Sequence, residues 1–394
     1  MILAKDFSFS AVVAGFVTVL VGFTGAGVIV FQAAQALGAS STEIGSWMWA
    51  LGLGMGIPGI VLSWRYKVPI ITAWSTPGAA MLITAAAGVS MPEAIGAFLA
   101  CAVLIMVCGF TGWFERAMNW LPMPLASGML AGVLLQFGLN VFVAMQTQFV
   151  MAFAMFVCYL VTRQMLARYT VLATLVLGML IAGVQGSLQL DTISVQLVQP
   201  VLTLPQFSVS AMVGVALPLF VVTMASQNVP GVAVIRAFGY SEVPISPLIG
   251  WTGVATFLTA PFGGFAINLA AITAAISMGR EAHEDPQRRY VAGIAVGVFY
   301  ILVGLFGATV GSVFSALPAE LVMTIAGIAL FGTIGQGLAT ALSDEGDRQS
   351  ALITFLVTAS GVTLLGIGAA FWGLLAGAIA STIAQAARKR REPV

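Results

Sequence analysis

Seven stretches of this 394-residue chain, each 39 to 67 residues long, contain no lysine or arginine. Basic residues fall only at their edges: Lys5, Arg65/Lys67, Arg116, Arg163/Arg168, Arg236, Arg280/Arg288/Arg289, Arg348 and Arg388 to Arg391. A helix that crosses a bilayer needs about 20 apolar residues, so each stretch has room for two crossings, out and back. Glu43, Glu93, Asp191 and Glu320 fall near the midpoints, where outer turns belong. Seven hairpins predict an all-α membrane protein of 14 spans, with all 15 basic residues and both termini cytoplasmic by the positive-inside rule.

Composition demands the same solvent. Only 7% of the residues are charged and 60% are apolar, whereas soluble domains carry about 25% charge. Most of the surface must therefore face lipid. A net charge of +1 points to neither nucleic acid nor an acidic partner. Cys101, Cys108 and Cys158 lie inside apolar runs and read as small buried hydrophobes rather than a disulfide framework. Lys5 precedes a long apolar run without a small-residue cleavage pattern, which reads as a retained first helix. No motif suits a metal, a nucleophilic triad or a phosphate loop, so the chain reads as no enzyme and as needing no cofactor or metal.

The spans divide as seven plus seven. Phe7-Ser8-Phe9-Ser10-Ala11-Val12-Val13 opens span 1 and Phe207-Ser208-Val209-Ser210-Ala211-Met212-Val213 opens span 8, with five of seven positions matching. Gln35-Ala36-Leu37-Gly38 is echoed by Arg236-Ala237-Phe238-Gly239. Because seven is odd, span 8 starts on the opposite side from span 1, so the repeats are inverted. The expected halves are 1–186 and 208–394, joined by an outer connection over 187–207. Inverted repeats belong to alternating-access transporters with a site at the midplane.

The third span of each half is where regular helix fails. In span 3, β-prone Ile70 to Trp74 and then Ser75-Thr76-Pro77-Gly78 precede a helical run from Ala79 to Ala87. In span 10, Phe257 to Gly264 precede a helical run from Phe265 to Met278, which places Asn268 one turn into that half-helix. Ser or Thr before Pro suits a helix start, and paired glycines let another group approach the backbone. Irregular backbone at membrane depth survives only where protein or a cavity covers it. Two half-helices preceded by extended pieces would aim two amide-rich ends at one spot, an anion site without Lys or Arg. Ordinary Pro/Gly kinks are the alternative. Phe23, Trp74, Phe262 and Phe265 are available to line a pocket for an aromatic ring.

Span 8 adds a polar patch, Ser226-Gln227-Asn228, before Val229-Pro230-Gly231. Gln227, Asn228 and Asn268 are candidates to hydrogen-bond a carboxylate; Gln32, Gln136 and Asn140 read as ties between helices. No carboxylate sits in mid-span, where proton carriers are expected. Glu43 and Glu320 at outer span ends are the nearest candidates, and His283 lies in a charged loop. The terminal basic run reads as a topology anchor that touches anionic membrane lipid.

At Ser226 to Gly231, Arg236 to Tyr240 and Pro261 to Asn268 the chain resembles the benzoate membrane transporter family, described as benzoate/proton symporters. It is more distantly similar to nucleobase–ascorbate and sulfate permease transporters, whose fold pairs a core domain with a gate domain. The resemblance implies a core of 1–112 plus 208–316 and a gate of 117–186 plus 317–394. It also implies substrate between the half-helices of spans 3 and 10, with a proton as co-substrate. Nucleobase carriers hold carboxylates on spans 8 and 10, where this chain has Gln227 and Gly264; a site without fixed negative charge suits an anion. The expected substrate-binding set is Thr24, Gly25, Ser75, Thr76, Gly78, Gln227, Asn228, Gly263, Gly264, Phe265 and Asn268. The expected function is uptake of benzoate or a related aromatic carboxylate across a bacterial inner membrane. An inorganic anion or dicarboxylate carrier and an anion channel are the alternatives, and a homodimer is left open.

Overall fold

Helix starts in this chain are set by local chemistry, and the computed structural model shows two of them plainly. Ser40 and Glu43 form a capping box, the Ser40 N–H donating to Glu43 Oε2 at 2.7 Å and the Glu43 N–H to Ser40 Oγ at 3.3 Å. Ser90 repeats it with Glu93, its N–H donating to Glu93 Oε2 at 2.9 Å. Both glutamates thus satisfy orphan donors at helix starts. The structure describes residues 6, 8–85, 88–114, 122–165, 170–189, 191, 193, 195–279, 282–364 and 369–389. Lys5, Phe7, Arg116, Arg168, Arg280, Arg390 and Arg391 lie outside them, as do the side chains of Thr24, Gly25, Arg388 and Lys389.

In chain order the first half holds α1 (Phe9–Ala36), α2 (Ser41–Tyr66), β1 (Thr72–Trp74), α3 (Thr76–Ala85), α4 (Met91–Phe110), α5 (Met123–Thr147), α6 (Phe149–Met165) and α7 (Thr170–Val184). The second half opens with α8 (Val209–Arg236). It continues through α9 (Ile245–Thr259), β2 (Ile267–Leu269), α10 (Ile272–Met278), α11 (Tyr290–Leu305), α12 (Gly307–Ser315), α13 (Ala319–Ser343), α14 (Arg348–Ala359) and α15 (Ala369–Lys389). Among the described residues eight helices are long and apolar enough to cross a membrane, or nine with α1, which bends by 42° between Phe23 and Ala26. Thr24 and Gly25 occupy that bend.

Small residues bring helix axes close, as packing without a hydrophobic drive between helices requires. A Cβ on Gly109 of α4 would lie 2.2 Å from the Gly250 nitrogen of α9, and one on Gly52 of α2 would lie 2.6 Å from Gly304 Cα of α11. In α8, Pro218 and Pro230 lack the N–H that would bond four residues back. Before each, the helix widens into a π turn, with Leu217 N–H reaching Met212 O and Val229 N–H reaching Met224 O.

The molecule has two distinct ends. Along the connection after α7, Gln189 N–H donates to Ala316 O, Val198 to Leu305 O, Thr203 to Pro261 O and Gln206 to Pro92 O, at 2.8 to 3.1 Å. Ser46 near the start of α2 accepts from Val201 N–H at 2.9 Å. Beyond the other end of α2, Lys67 sits 4.1 Å over the Tyr290 ring, and Tyr290 donates to Asp6 at 2.8 Å. There Arg289 is buried, its guanidinium donating to the carbonyls of Met278, His283 and Glu284. One end is strapped by backbone; the other holds a cluster of charges.

Candidate functional site

The two interrupted segments meet. β1 and β2 pair antiparallel, with Thr72 opposite Leu269, Ala73 opposite Asn268 and Trp74 opposite Ile267. The ladder extends at both ends, Ser75 N–H to Ala266 O at 3.1 Å and Ala270 N–H to Ile71 O at 2.8 Å. Outward groups are also paired: Ile267 N–H donates to Thr256 Oγ1 and Leu269 N–H to Asn228 Oδ1, each at 2.9 Å. Thr72 Oγ1 donates to Met55 O. An irregular backbone is therefore stable at depth because its polar groups have protein partners.

Each strand leads into a short helix. Ser75 caps α3, accepting from Gly78 N–H at 3.1 Å through Oγ and from Ala79 N–H at 2.8 Å through its carbonyl. Pro77 has no N–H, which leaves Thr76 as the amide at the open end of α3 without a partner among the described residues. The expectation for span 10 needs correction. Residues 267–269 are strand, not helix, and α10 begins only at Ile272. The left-handed turns at Gly263 (φ 95°) and Ala266 (φ 40°) redirect the chain into the ladder before any helix can form. Asn268 thus sits in the middle of the crossing, opposite Ala73.

Gly263 and Gly264 are close-approach positions, but the approaching groups are protein. A Cβ on Gly263 would lie 1.9 Å from Trp47 Cδ1, and one on Gly264 would lie 2.2 Å from Thr259 Oγ1. Gly78 likewise packs on Leu219 of α8, 2.6 Å from an added Cβ. Phe265 is buried against Trp47 and Phe98 at 5.6 and 5.8 Å, and Phe262 lies against Trp49 at 5.4 Å. Phe23 instead packs edge-on to Trp74 at 4.7 Å. The four aromatic residues expected in one pocket therefore divide among three groups.

Adjacent amides in α8 have different surroundings. Asn228 is fully buried, its Oδ1 holding β2 and its Nδ2 reaching Met224 Sδ at 3.2 Å. Gln227 is half-buried and makes no hydrogen bond to another described residue. Glu43 is occupied in its capping box, and Thr147 donates to Glu320 at 3.3 Å. Two residues escaped the sequence reading: Tyr300, 6.0 Å from Phe23 between ring centroids, and Thr223, whose buried Oγ1 lacks a partner. The proline after the span 8 patch was the signal for the widened helix there. Among the described residues no group of His, Cys, Asp and Glu could hold a metal.

Long apolar helices around a buried crossing of two broken segments define a multi-pass integral membrane protein. Solved structures share the fold. SLC26A9 matches with a TM-score of 0.61 at 15% identity over 97% of this chain, which spans 66% of that protein. The transmembrane domain of the cyanobacterial bicarbonate transporter BicA matches with a TM-score of 0.58 at 15% identity, over 95% of this chain and 96% of that one. Residues 5–383 match the benzoate membrane transport protein family, to which this chain belongs. It is 46% identical to the inner membrane protein YdcO of Escherichia coli over 93% of both chains. It is 40% identical to the benzoate membrane transport protein of Acinetobacter baylyi over 96% of both.

Proposed function

We propose that this chain imports benzoate or a related aromatic carboxylate, with a proton, by alternating access across a bacterial inner membrane. The observation that carries the reading is the antiparallel crossing of β1 and β2, beside which α3 and α10 begin. A helix start carries roughly half a positive charge, and neither strand nor either short helix contains an Asp or Glu to oppose an anion. Taking a carboxylate out of water costs several kcal/mol. Charged hydrogen bonds return about 1.5–3 kcal/mol each, and a helix end up to about 2. A buried aromatic ring of roughly 150 Å² then adds about 4 kcal/mol. Thr76, Gln227 and Asn268 offer polar groups, with Thr24 and Gly25 at the nearby bend of α1. Asn228 and Ser75 hold the crossing in shape.

In this reading the chain makes 14 crossings in two inverted repeats, 1–186 and 208–394, with a core of 1–112 plus 208–316 and a gate of 117–186 plus 317–394. The broken segment follows two helices in each half, which supports the repeat. The strap over one end and the charged cluster at the other support the sidedness, with both termini cytoplasmic.

Proteoliposomes tested with labelled benzoate should show saturable uptake that an inward proton gradient accelerates, inhibited by toluate and not by sulfate. The likeness to anion transporters favours a second reading, an inorganic anion or dicarboxylate carrier; inhibition by sulfate or bicarbonate but not by toluate would select it. Unsaturable currents far above carrier turnover would select an anion channel. Uptake indifferent to an imposed pH gradient removes the proton.

A further inference from the structure

A co-transported proton needs a seat, and the crossing has no acid to provide one. The elements packed on β2 are β1, α2, α9 and the π turn of α8. β1, α9 and that turn carry no Asp, Glu, His, Lys, Arg or Tyr. α2 carries Glu43 in its first turn and Arg65 and Tyr66 in its last, at the two ends of the molecule. Tyr300 of α11 lies further off, its ring 6.0 Å from that of Phe23, which in turn packs on Trp74.

Asn268, by contrast, holds an unused acceptor. It is fully buried, its Nδ2 donates to Ala266 O at 3.0 Å, and its Oδ1 has no partner. That bond sets the amide orientation, because a flipped amide would press two oxygens together. A buried acceptor left unpaired is costly, so the site calls for a donor. Asn268 stands directly opposite Ala73, and opposed residues share one face of a ladder. Ala73 is the one strand residue that is not buried. Asn268 therefore shares its face of the ladder with Ala73, the half-buried residue of the crossing.

Resting on the uptake reading above, and replacing its bound carboxylate by the protonated acid, we infer that the substrate carries the proton itself: the bound species is the neutral aromatic acid, its O–H donated to Asn268 Oδ1. A carboxylate has only acceptors to offer that oxygen, whereas the acid donates to it and still accepts from amides such as Thr76 N–H. The proton joins a carboxylate oxygen from water on the outer side, crosses on the substrate, and returns to water inside when the O–H bond ionises. No protein group changes its charge. An ordinary carboxyl titrates near pH 4, so its acid form is about a thousandfold scarce at pH 7. Apparent affinity for total benzoate therefore falls tenfold for each pH unit.

Calorimetry on purified full-length protein tests this, run with benzoate at pH 6, 7 and 8 in phosphate and in Tris, which differ in ionisation enthalpy. We expect one proton taken up per benzoate bound and the tenfold step in Kd per pH unit. Benzamide, a neutral donor of the same shape, should bind with a Kd that ignores pH. Benzenesulfonate, which stays ionised, should bind at least about tenfold more weakly than benzoate, a difference of about 1.4 kcal/mol. Asn268→Leu should abolish the proton uptake, and the benzamide comparison stands should that variant fail to fold. Benzoate bound without proton uptake, or with a pH-independent Kd, overturns this inference alone. No benzoate binding at any pH removes the transport reading and this inference with it.

Discussion

Two neighbouring amides should separate stability from binding. Replacing Asn228 with alanine removes the acceptor for Leu269 N–H, which lies 2.9 Å from it in a fully buried setting. No other described polar group contacts that N–H, and the orphaned donor costs about 1–3 kcal/mol. The empty space left by the side chain adds to this at about 24 cal/mol per Å³ that fails to close. Gln227→Ala, one residue away, breaks no hydrogen bond within the protein and should leave stability within about 0.5 kcal/mol. It removes a half-buried amide that makes no hydrogen bond to another described residue, so benzoate affinity should fall instead. Thermal unfolding followed by size-exclusion fluorescence, with labelled benzoate binding on the surviving fraction, reads both. Asn228→Ala should melt several degrees below the parent and Gln227→Ala should not, while Gln227→Ala binds more weakly. A variant Asn228→Ala that melts like the parent yet loses binding would refute the assignment of Asn228 as a structural latch.

Other substitutions test the crossing from different directions. Gly264→Ala should already lower the yield of folded protein, by about 1–3 kcal/mol of overpacking, because its Cβ meets Thr259 Oγ1 at 2.2 Å; normal yield would mean that Thr259 yields freely. Gly264→Asp would fail for the same steric reason, so its loss of binding says nothing about charge. Ser75→Asp retains an oxygen for the Gly78 N–H, but Ser75 is fully buried, so the added carboxylate should lower the melting temperature. In the fraction that folds, its charge at the start of α3 should weaken binding of ionised benzenesulfonate more than that of neutral benzamide, and equal effects on the two would move the substrate away from α3. Ser75→Ala should lose about 1 kcal/mol of stability with the cap, measured in the same unfolding assay.

Much of the organisation was legible without coordinates, and particular residues show why. Glu43 and Glu93, read as turn residues, each stand at a helix start in a capping box with Ser40 or Ser90, whose bonds span only a turn. Ser75-Thr76-Pro77 likewise announced α3, which the structure begins at Thr76. The second break was harder to read. Ile267-Asn268-Leu269 followed a Gly-Gly pair and suited a helix as well as a strand. Its state depends on β1, on Thr256 and on Asn228, all distant in sequence from part or all of the ladder they complete.

The division between the two kinds of information follows from range. Water–lipid partition acts on each residue alone, so the spacing of 15 basic residues was enough to determine a multi-pass membrane chain. The Pro- and Gly-bearing segments at Ser75–Gly78 and Pro261–Gly264 marked breaks in two comparable places. The strand register is different, as are the assignment of Asn228 to the scaffold, the burial of Gly263 and Gly264 under Trp47 and Thr259, and the orphan oxygen of Asn268. Only the tertiary structure decided these. Each is a matter of which polar or bulky group arrives from another part of the chain, and no local propensity carries that.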